Sequence, residues 1–326
     1  MKIGLVGLGY WGPNLARNFD DLAHTDLTWL CDRDEERLTR FASRFPSART
    51  TNRFEVLLED ERLDAVAIAT PVVTHFDLAR QALSAGKHVF VEKPLALSSS
   101  LGDQLVELAE ERGVVLMPGH LLLYHPGVAK LKELVESGDL GRLLYVYGNR
   151  QNLGQIRRDE NALWSLGAHD LSVILHLVGE EPSEAWARGE SFLRPGVEDV
   201  VFCYLRFPSG VVAHMHLSWL DPHKTRRITV VGRDKMAVFD DMELERKVTV
   251  YDKGPEQTAG TYGEWQTRTG DISSPKVPNH EPLRLECEHF ARLVEGDGDP
   301  VAAARDGVAV VRVLERLQSS LERELV

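Results

Sequence analysis

The chain begins with a short apolar run, residues 3–6, that breaks into Gly7-Leu8-Gly9-Tyr10-Trp11-Gly12 and resumes as a helical pattern over residues 13–19. No other feature narrows the possible folds as far. A strand that stops on glycines spaced GxGxxG and restarts as a helix must turn sharply, and glycine leaves room for that turn. The alternation continues. Residues 27–31 read as a strand and 34–45 as a charged helix. Residues 65–69 form a continuous apolar run ending at Thr70-Pro71, as in a strand buried on both faces. Residues 76–85 read as a helix stopped by Gly86, 88–91 as a strand, 101–112 as a helix closed by Gly113, and 114–117 as a strand. Strands alternating with helices predict an α/β domain with a doubly wound parallel sheet.

Beyond residue 120 the pattern changes. Residues 126–137 read as a helix, and 143–148, 184–192, 200–207, 211–219, 226–231 and 247–251 as strands, several separated by turn pairs such as Ser209-Gly210. Successive strands with short turns predict a mostly antiparallel sheet in a second, α+β domain, and the expected division is 1–119 and 120–326. His214 and His216 share one face of their strand. No third ligand of suitable spacing accompanies them, so they read as sheet-face polar residues and no metal is expected. Residues 254–279, rich in Gly, Thr, Ser and Pro, read as a long loop, and helices over 283–294 and 301–323 close the chain.

Asp32 lies 20 residues beyond Gly12, at the end of the second predicted strand, and completes a dinucleotide-binding pattern. In a Rossmann turn of this kind Gly7 permits the turn, Gly9 lets the backbone approach a pyrophosphate, and Gly12 lets helix pack on strand. The helix N-terminus offers free N–H donors to the phosphates. Asp32 would accept hydrogen bonds from the adenosine ribose and repel a 2′-phosphate, so NAD is expected over NADP; Arg33 beside it softens that preference. Tyr10 and Trp11 are expected to cover the cofactor or pack locally.

Composition bounds the partners. A net charge of −12, from 50 acidic and 38 basic side chains, repels phosphate polymers and argues against nucleic acid. Cys31, Cys203 and Cys287 include no CxxC pair, so neither a disulfide framework nor a cysteine zinc site is suggested. Glycines interrupt the first apolar run too soon for a signal peptide, and no stretch approaches the roughly 18 apolar residues of a membrane span. A cytoplasmic enzyme that avoids membranes is the expectation.

Glu92-Lys93-Pro94 follows the strand 88–91, at the strand ends where doubly wound sheets bind ligands. Lys93 would project toward the nicotinamide, able to stabilise a developing alkoxide or shuttle a proton. Taken in order, GxGxxG, Thr70-Pro71, His75 and Glu92-Lys93-Pro94 resemble the glucose-fructose oxidoreductase/inositol dehydrogenase/rhizopine catabolism family, in a domain order that covers essentially the whole chain. The resemblance implies an NAD-dependent sugar oxidoreductase with Lys93 as its catalytic lysine and Thr70, Pro71, His75 and Glu92 at the cofactor. It also implies a homodimer or homotetramer packed through the C-terminal sheet.

A narrower similarity, to nucleotide-sugar 3-dehydrogenases acting on UDP-N-acetylglucosamine derivatives, rests on several short runs. They are Gly9-Tyr10-Trp11-Gly12-Pro13-Asn14-Leu15, Tyr124-His125-Pro126, Arg150-Gln151-Asn152-Leu153-Gly154, Arg157, Glu160-Asn161, Trp164 and Gly167-Ala168-His169-Asp170. It implies that His169 lies beside the reacting hydroxyl. Arg150, Asn152, Arg157 and Asn161 have the chemistry for diphosphate or sugar hydroxyls, while His120, His125, Tyr124 and Trp164 fall near the expected sugar site; Asp170 reads as structural. The chain departs from the family at Ser165, where many members carry Asp one helical turn before the histidine. That favours a Lys93/His169 pair over a carboxylate-assisted relay. The alternatives are an NAD(P)H-dependent 3-ketoreductase of a deoxy-keto sugar nucleotide, a polyol or inositol dehydrogenase and, from another class, a non-catalytic NAD-binding sensor.

Overall fold

The computed structural model describes residues 1–154, 156–157, 160–257 and 265–323. The chain forms two compact units, Met1–Tyr124 with His280–Arg312, and His125–Asn279 with Val313–Val326. Unit 1 runs β1 (Lys2–Val6), α1 (Gly12–Asp21), β2 (Asp26–Cys31), α2 (Glu35–Arg44), β3 (Arg49–Thr51), α3 (Glu55–Glu59), β4 (Ala65–Ile68), α4 (His75–Ser84), β5 (His88–Glu92), α5 (Ser99–Arg112) and β6 (Leu116–Gly119). Its strands pair in parallel, in the order β3-β2-β1-β4-β5-β6. The apolar runs alternate between two layers: Ile3, Leu5, Ala65, Ala67, Phe90 and Met117 on one face, Val66, Ile68, Val89, Val91 and Leu116 on the other. This two-sided burial is why those strands read as unbroken apolar runs. Helix α5 ends on Gly113 at φ 64°, a left-handed cap that a Cβ would strain.

Unit 2 carries α6 (Pro126–Glu136), β7 (Leu143–Gln151), α7 (Ala168–Val178), β8 (Glu184–Glu190), β9 (Val200–Arg206), β10 (Val212–Ser218), β11 (Thr225–Gly232), β12 (Met236–Asp240), β13 (Val248–Gln257) and β14 (Trp265–Ser273). Among the described residues these strands form one sheet, β14-β13-β12-β11-β7-β10-β9-β8, antiparallel except where β7 and β10 pair in parallel. Along β10, Ala213, Met215 and Leu217 are buried, while His214 and His216 lie on the opposite face.

Two helices return to close unit 1. In α8 (Pro282–Val294), Phe290 packs edge-to-face on Phe19 and Phe90 with ring centroids 6.1 and 5.7 Å away. The start of α9 (Ala302–Arg323) packs Ala304 and Val308 into the other layer. The sequence expectation placed residues 280–312 in the second domain; they belong instead with the parallel sheet, whose two faces they help to bury. A second difference lies at 254–279, read as a long loop. Its described residues complete β13 and form β14, a polar, exposed edge hairpin whose order comes from cross-strand hydrogen bonds. Residues 258–264 of that stretch lie outside the described residues.

Candidate active site

At the end of β1, Gly7 holds φ 96° and donates its N–H to the Cys31 carbonyl at 2.8 Å, which ties the turn to β2. A Cβ on Gly7 would press on the Ala69 carbonyl oxygen at 2.7 Å, and one on Gly12 would overlap the carbonyl of Gly7. Gly9 differs. The nearest atom to its ideal Cβ is Arg37 Nη1 at 3.7 Å, so the missing side chain leaves an open approach to the backbone. That cradle sits where the ten-residue helix α1 begins, at the positive end of its dipole, although Pro13 carries no N–H and the Asn14 N–H is bonded to the Trp11 carbonyl at 2.9 Å. The residues present fit a dinucleotide.

Asp32 follows β2, its carboxylate accepting the Leu8 N–H at 2.6 Å and the Asp34 N–H at 2.9 Å. Arg33 is exposed, whereas Arg37 reaches back from the first turn of α2, 3.8 Å from Asp32 and 3.1 Å from Asp34. Sequence reasoning missed Arg37. The signal lay in Asp34, which caps α2 by accepting the N–H groups of Glu36 and Arg37 and so fixes the first turn beside the strand end. Tyr10 is 84% exposed. The Trp11 indole nitrogen is buried, with no hydrogen-bond partner.

Strand β5 delivers Glu92 and Lys93 to the C-terminal end of the parallel strands, and the Lys93–Pro94 peptide is cis. His75, at the start of α4, is buried, with Nδ1 2.9 Å from the Pro94 carbonyl and Nε2 2.8 Å from that of Thr70. It thereby joins the loop after Lys93 to the turn at Thr70-Pro71, where the Thr70 and Thr74 hydroxyls lie 2.7 Å apart. This differs from the direct cofactor contact expected of His75. Burial pushes its pKa down, against the pull of the two carbonyls. Burial drives the Glu92 acid up to about 7 despite the neighbouring Lys93 charge. His120 is buried with neither ring nitrogen hydrogen-bonded, and burial, then the charge on Lys93, pushes its pKa down to about 4. Tyr124, expected near the sugar, spends its hydroxyl on His289 Nδ1 at 2.7 Å.

In unit 2 a π-helical turn, Leu163–Gly167, leads into α7 and its first-turn residue His169, which is half-buried. Because that turn closes i→i+5 bonds, Ser165 and His169 are not one α-helical turn apart as expected. Asn161 Oδ1 accepts the Trp164 N–H at 3.1 Å, and its Nδ2 donates to Glu198 at 2.6 Å and Gln318 at 2.9 Å. The Trp164 indole donates to the same Gln318 oxygen at 3.2 Å. Arg150 grips Asp170 in the interior through Nε at 2.7 Å and Nη2 at 2.6 Å. Arg150, Asn161 and Trp164, expected as ligand contacts, are therefore engaged within the protein and anchor the segment that carries His169. His125 Nδ1 caps α6 by accepting the Gly127 N–H at 2.9 Å. Asn152 is half-buried and folds over Gly154, while Arg157 is exposed, 3.7 Å from Glu160. Sequence reasoning also missed Glu198 and Gln318, which are 37 and 157 residues from the Asn161 they hold.

Among the described residues no group of three or more His, Cys, Asp or Glu side chains is placed to hold a metal, and no helix is long and apolar enough to cross a membrane.

Comparison with known proteins agrees with this architecture. Residues 1–120 match the oxidoreductase family with an NAD-binding Rossmann fold, and residues 128–238 match the Gfo/Idh/MocA C-terminal domain. UDP-N-acetylglucosamine 3-dehydrogenase of Acidithiobacillus ferrooxidans is 27% identical over 99% of both chains. Its solved structure matches with a TM-score of 0.84 at 25% identity, covering 100% of this chain and 98% of that one. The scyllo-inositol 2-dehydrogenase (NAD(+)) of Bacillus subtilis is 25% identical over 96% of this chain and 92% of its own. GenD2 from gentamicin A biosynthesis, solved in complex with NAD, is 26% identical with a TM-score of 0.81, covering 99% and 95% of the two chains. With the glycine turn, the parallel sheet and both domain matches in agreement, the chain belongs to the Gfo/Idh/MocA family and is an NAD-dependent oxidoreductase.

Proposed function

We propose that the enzyme oxidises the C3 hydroxyl of a UDP-N-acetylhexosamine or of its uronic acid. The observation that carries this reading is the end-to-end match, in sequence and in fold, to a UDP-N-acetylglucosamine 3-dehydrogenase. Ser165 in place of a carboxylate supports it over a relay of the inositol dehydrogenase kind, although an inositol dehydrogenase also matches nearly full length.

NAD supplies the hydride acceptor when bound. Gly7, Gly9 and Gly12 form the pyrophosphate turn, Asp32 takes the adenosine ribose, and Arg33 and Arg37 flank it. Tyr10, Trp11, Thr70, Pro71 and Glu92 border the cofactor, with His75 holding two of those segments together. His169 accepts the hydroxyl proton and Lys93 stabilises the developing alkoxide. His120, Asn152 and Arg157 carry the remaining polar contacts to substrate. Arg150, Asn161, Trp164 and Tyr124 hold the framework.

The outer face of the large sheet supports self-association. Tyr147 stacks on His214 at 4.9 Å, Phe202 on His216 at 4.5 Å and Trp186 on Tyr204 at 5.4 Å, a row of partly exposed rings. We read this face as the contact of a homodimer or homotetramer, which sedimentation velocity tests directly; a monomer at micromolar concentration contradicts it.

The assay for the reaction is NADH formation with UDP-N-acetylglucosamine, its uronic acid, free N-acetylglucosamine and myo-inositol. Turnover of a nucleotide sugar alone is the expected result, and turnover of inositol alone overturns the reading. Lys93→Ala should keep NAD affinity and lower turnover about 10²–10⁴-fold.

A further inference from the structure

Unit 1 buries two carboxyl groups that the proposed reaction does not use for proton transfer. Glu286, on α8, is 0% exposed, and neither of its oxygens has a hydrogen-bond partner. Glu92 Oε1 is also buried and unpartnered, while Oε2 accepts the Lys93 N–H at 3.3 Å. Two carboxylates in one apolar interior cannot both keep their charge without cations to offset it. Among the described residues Lys93 is the cation that lowers the Glu92 acid, while the Glu286 acid is raised by burial and by the charge on Glu92.

The other groups facing the pair do not change this. Just before α1, the neutral Trp11 indole N–H lies near Glu92 without completing a hydrogen bond. After β6, His120 stays neutral near pH 7 because burial and Lys93 depress it. Tyr124 and Cys287 are both held protonated, by burial first. From α9, Asp306 adds a further acid raised by burial. Glu92 itself titrates at about 7.

We propose that Glu92 is a positioning residue whose ionisation keeps Lys93 cationic, and that Glu286 is held behind it as a neutral carboxylic acid, so that the pair exchanges a single proton around neutrality. Glu286 limits the site to one negative charge, and that charge falls beside Lys93. This rests on the reading of Lys93 as the catalytic lysine, but the state of the carboxyl pair does not.

Infrared difference spectroscopy of the full chain loaded with NAD, titrated through neutrality, tests the pair without any substrate. Two protonated-carboxyl bands are expected. One disappears as pH rises through about 7 and is absent in Glu92→Gln; the other persists and is absent in Glu286→Gln. If Glu286→Gln does not fold, Glu286→Leu serves, since it must lose the same band. In turnover, Glu92→Gln should move the alkaline limb of the pH profile down by about 1 unit, because an adjacent anion raises a lysine pKa. Absence of the persistent band overturns the neutral-acid assignment, and an unmoved limb overturns the control of Lys93. Should Lys93→Ala leave turnover intact, the catalytic reading fails while the two bands still decide the state of the pair.

Discussion

Each unit buries a carboxyl group next to a residue proposed to carry chemistry, and the two handle it in opposite ways. In unit 2, Asp170 follows His169 and is met by Arg150 through two nitrogens within 2.7 Å. In unit 1, Glu286 is buried within reach of the Glu92 charge, with no hydrogen-bond partner at either oxygen. Burial raises both acids, but only for Asp170 does a guanidinium pull the other way. An aspartate held by two guanidinium nitrogens fixes the start of α7, and with it His169. An unpaired glutamate is kept by staying protonated, and what it offers is a constraint on charge rather than a contact.

The largest effect that separates the two cases is expected at Asp170. Asp170→Ala leaves Arg150 buried without its partner and should cost about 3–5 kcal/mol in denaturant unfolding. A loss below about 1 kcal/mol would mean that the pair is solvated, and the contrast would fail.

Glu286→Gln should behave differently, through pH. The folded pKa of Glu286 stands well above its ordinary value of 4.5, so its contribution to stability is fully present below that value and is lost as pH rises. The glutamine variant should therefore match the parent in acid and gain on it toward neutrality, by up to about 1.4 kcal/mol per pH unit. Thermal melts across that range report the trend, and a pH-independent difference contradicts it. The smallest effect belongs to Asn161, whose side chain caps the turn before α7. Asn161→Ala should cost about 1 kcal/mol and reduce turnover more than NAD affinity, since it loosens the His169 segment alone.

Legibility in the sequence divides along similar lines. The glycine turn could be read residue by residue, because Gly7 and Gly12 answer to backbone geometry, which spacing encodes. Strands β1, β2, β4, β5 and β6 were legible because their apolar runs are buried in the two layers of unit 1. Strand β3 was missed because it is three residues long with no apolar side chain, and β14 because it is polar and takes its order from β13. The roles of Arg150, Asn161 and Trp164 were not legible from residue type. Their partners Asp170, Glu198 and Gln318 are distant in sequence, and an arginine suited to a phosphate is equally suited to a buried aspartate. Glu286 did leave a signal. Leu283, Glu286, Cys287 and Phe290 fall at i, i+3, i+4 and i+7, so an acid occupies the core-facing stripe of α8.

The proposed substrate implies recognition of a sugar through its nucleotide. Isothermal titration of the NAD-saturated enzyme with UDP-N-acetylglucosamine tests it most directly, with UDP and free N-acetylglucosamine as controls. Saturable binding of the intact nucleotide sugar is expected, at least about tenfold tighter than either fragment, corresponding to about 1.4 kcal/mol. Binding of the free sugar as tight as that of the nucleotide sugar would contradict it.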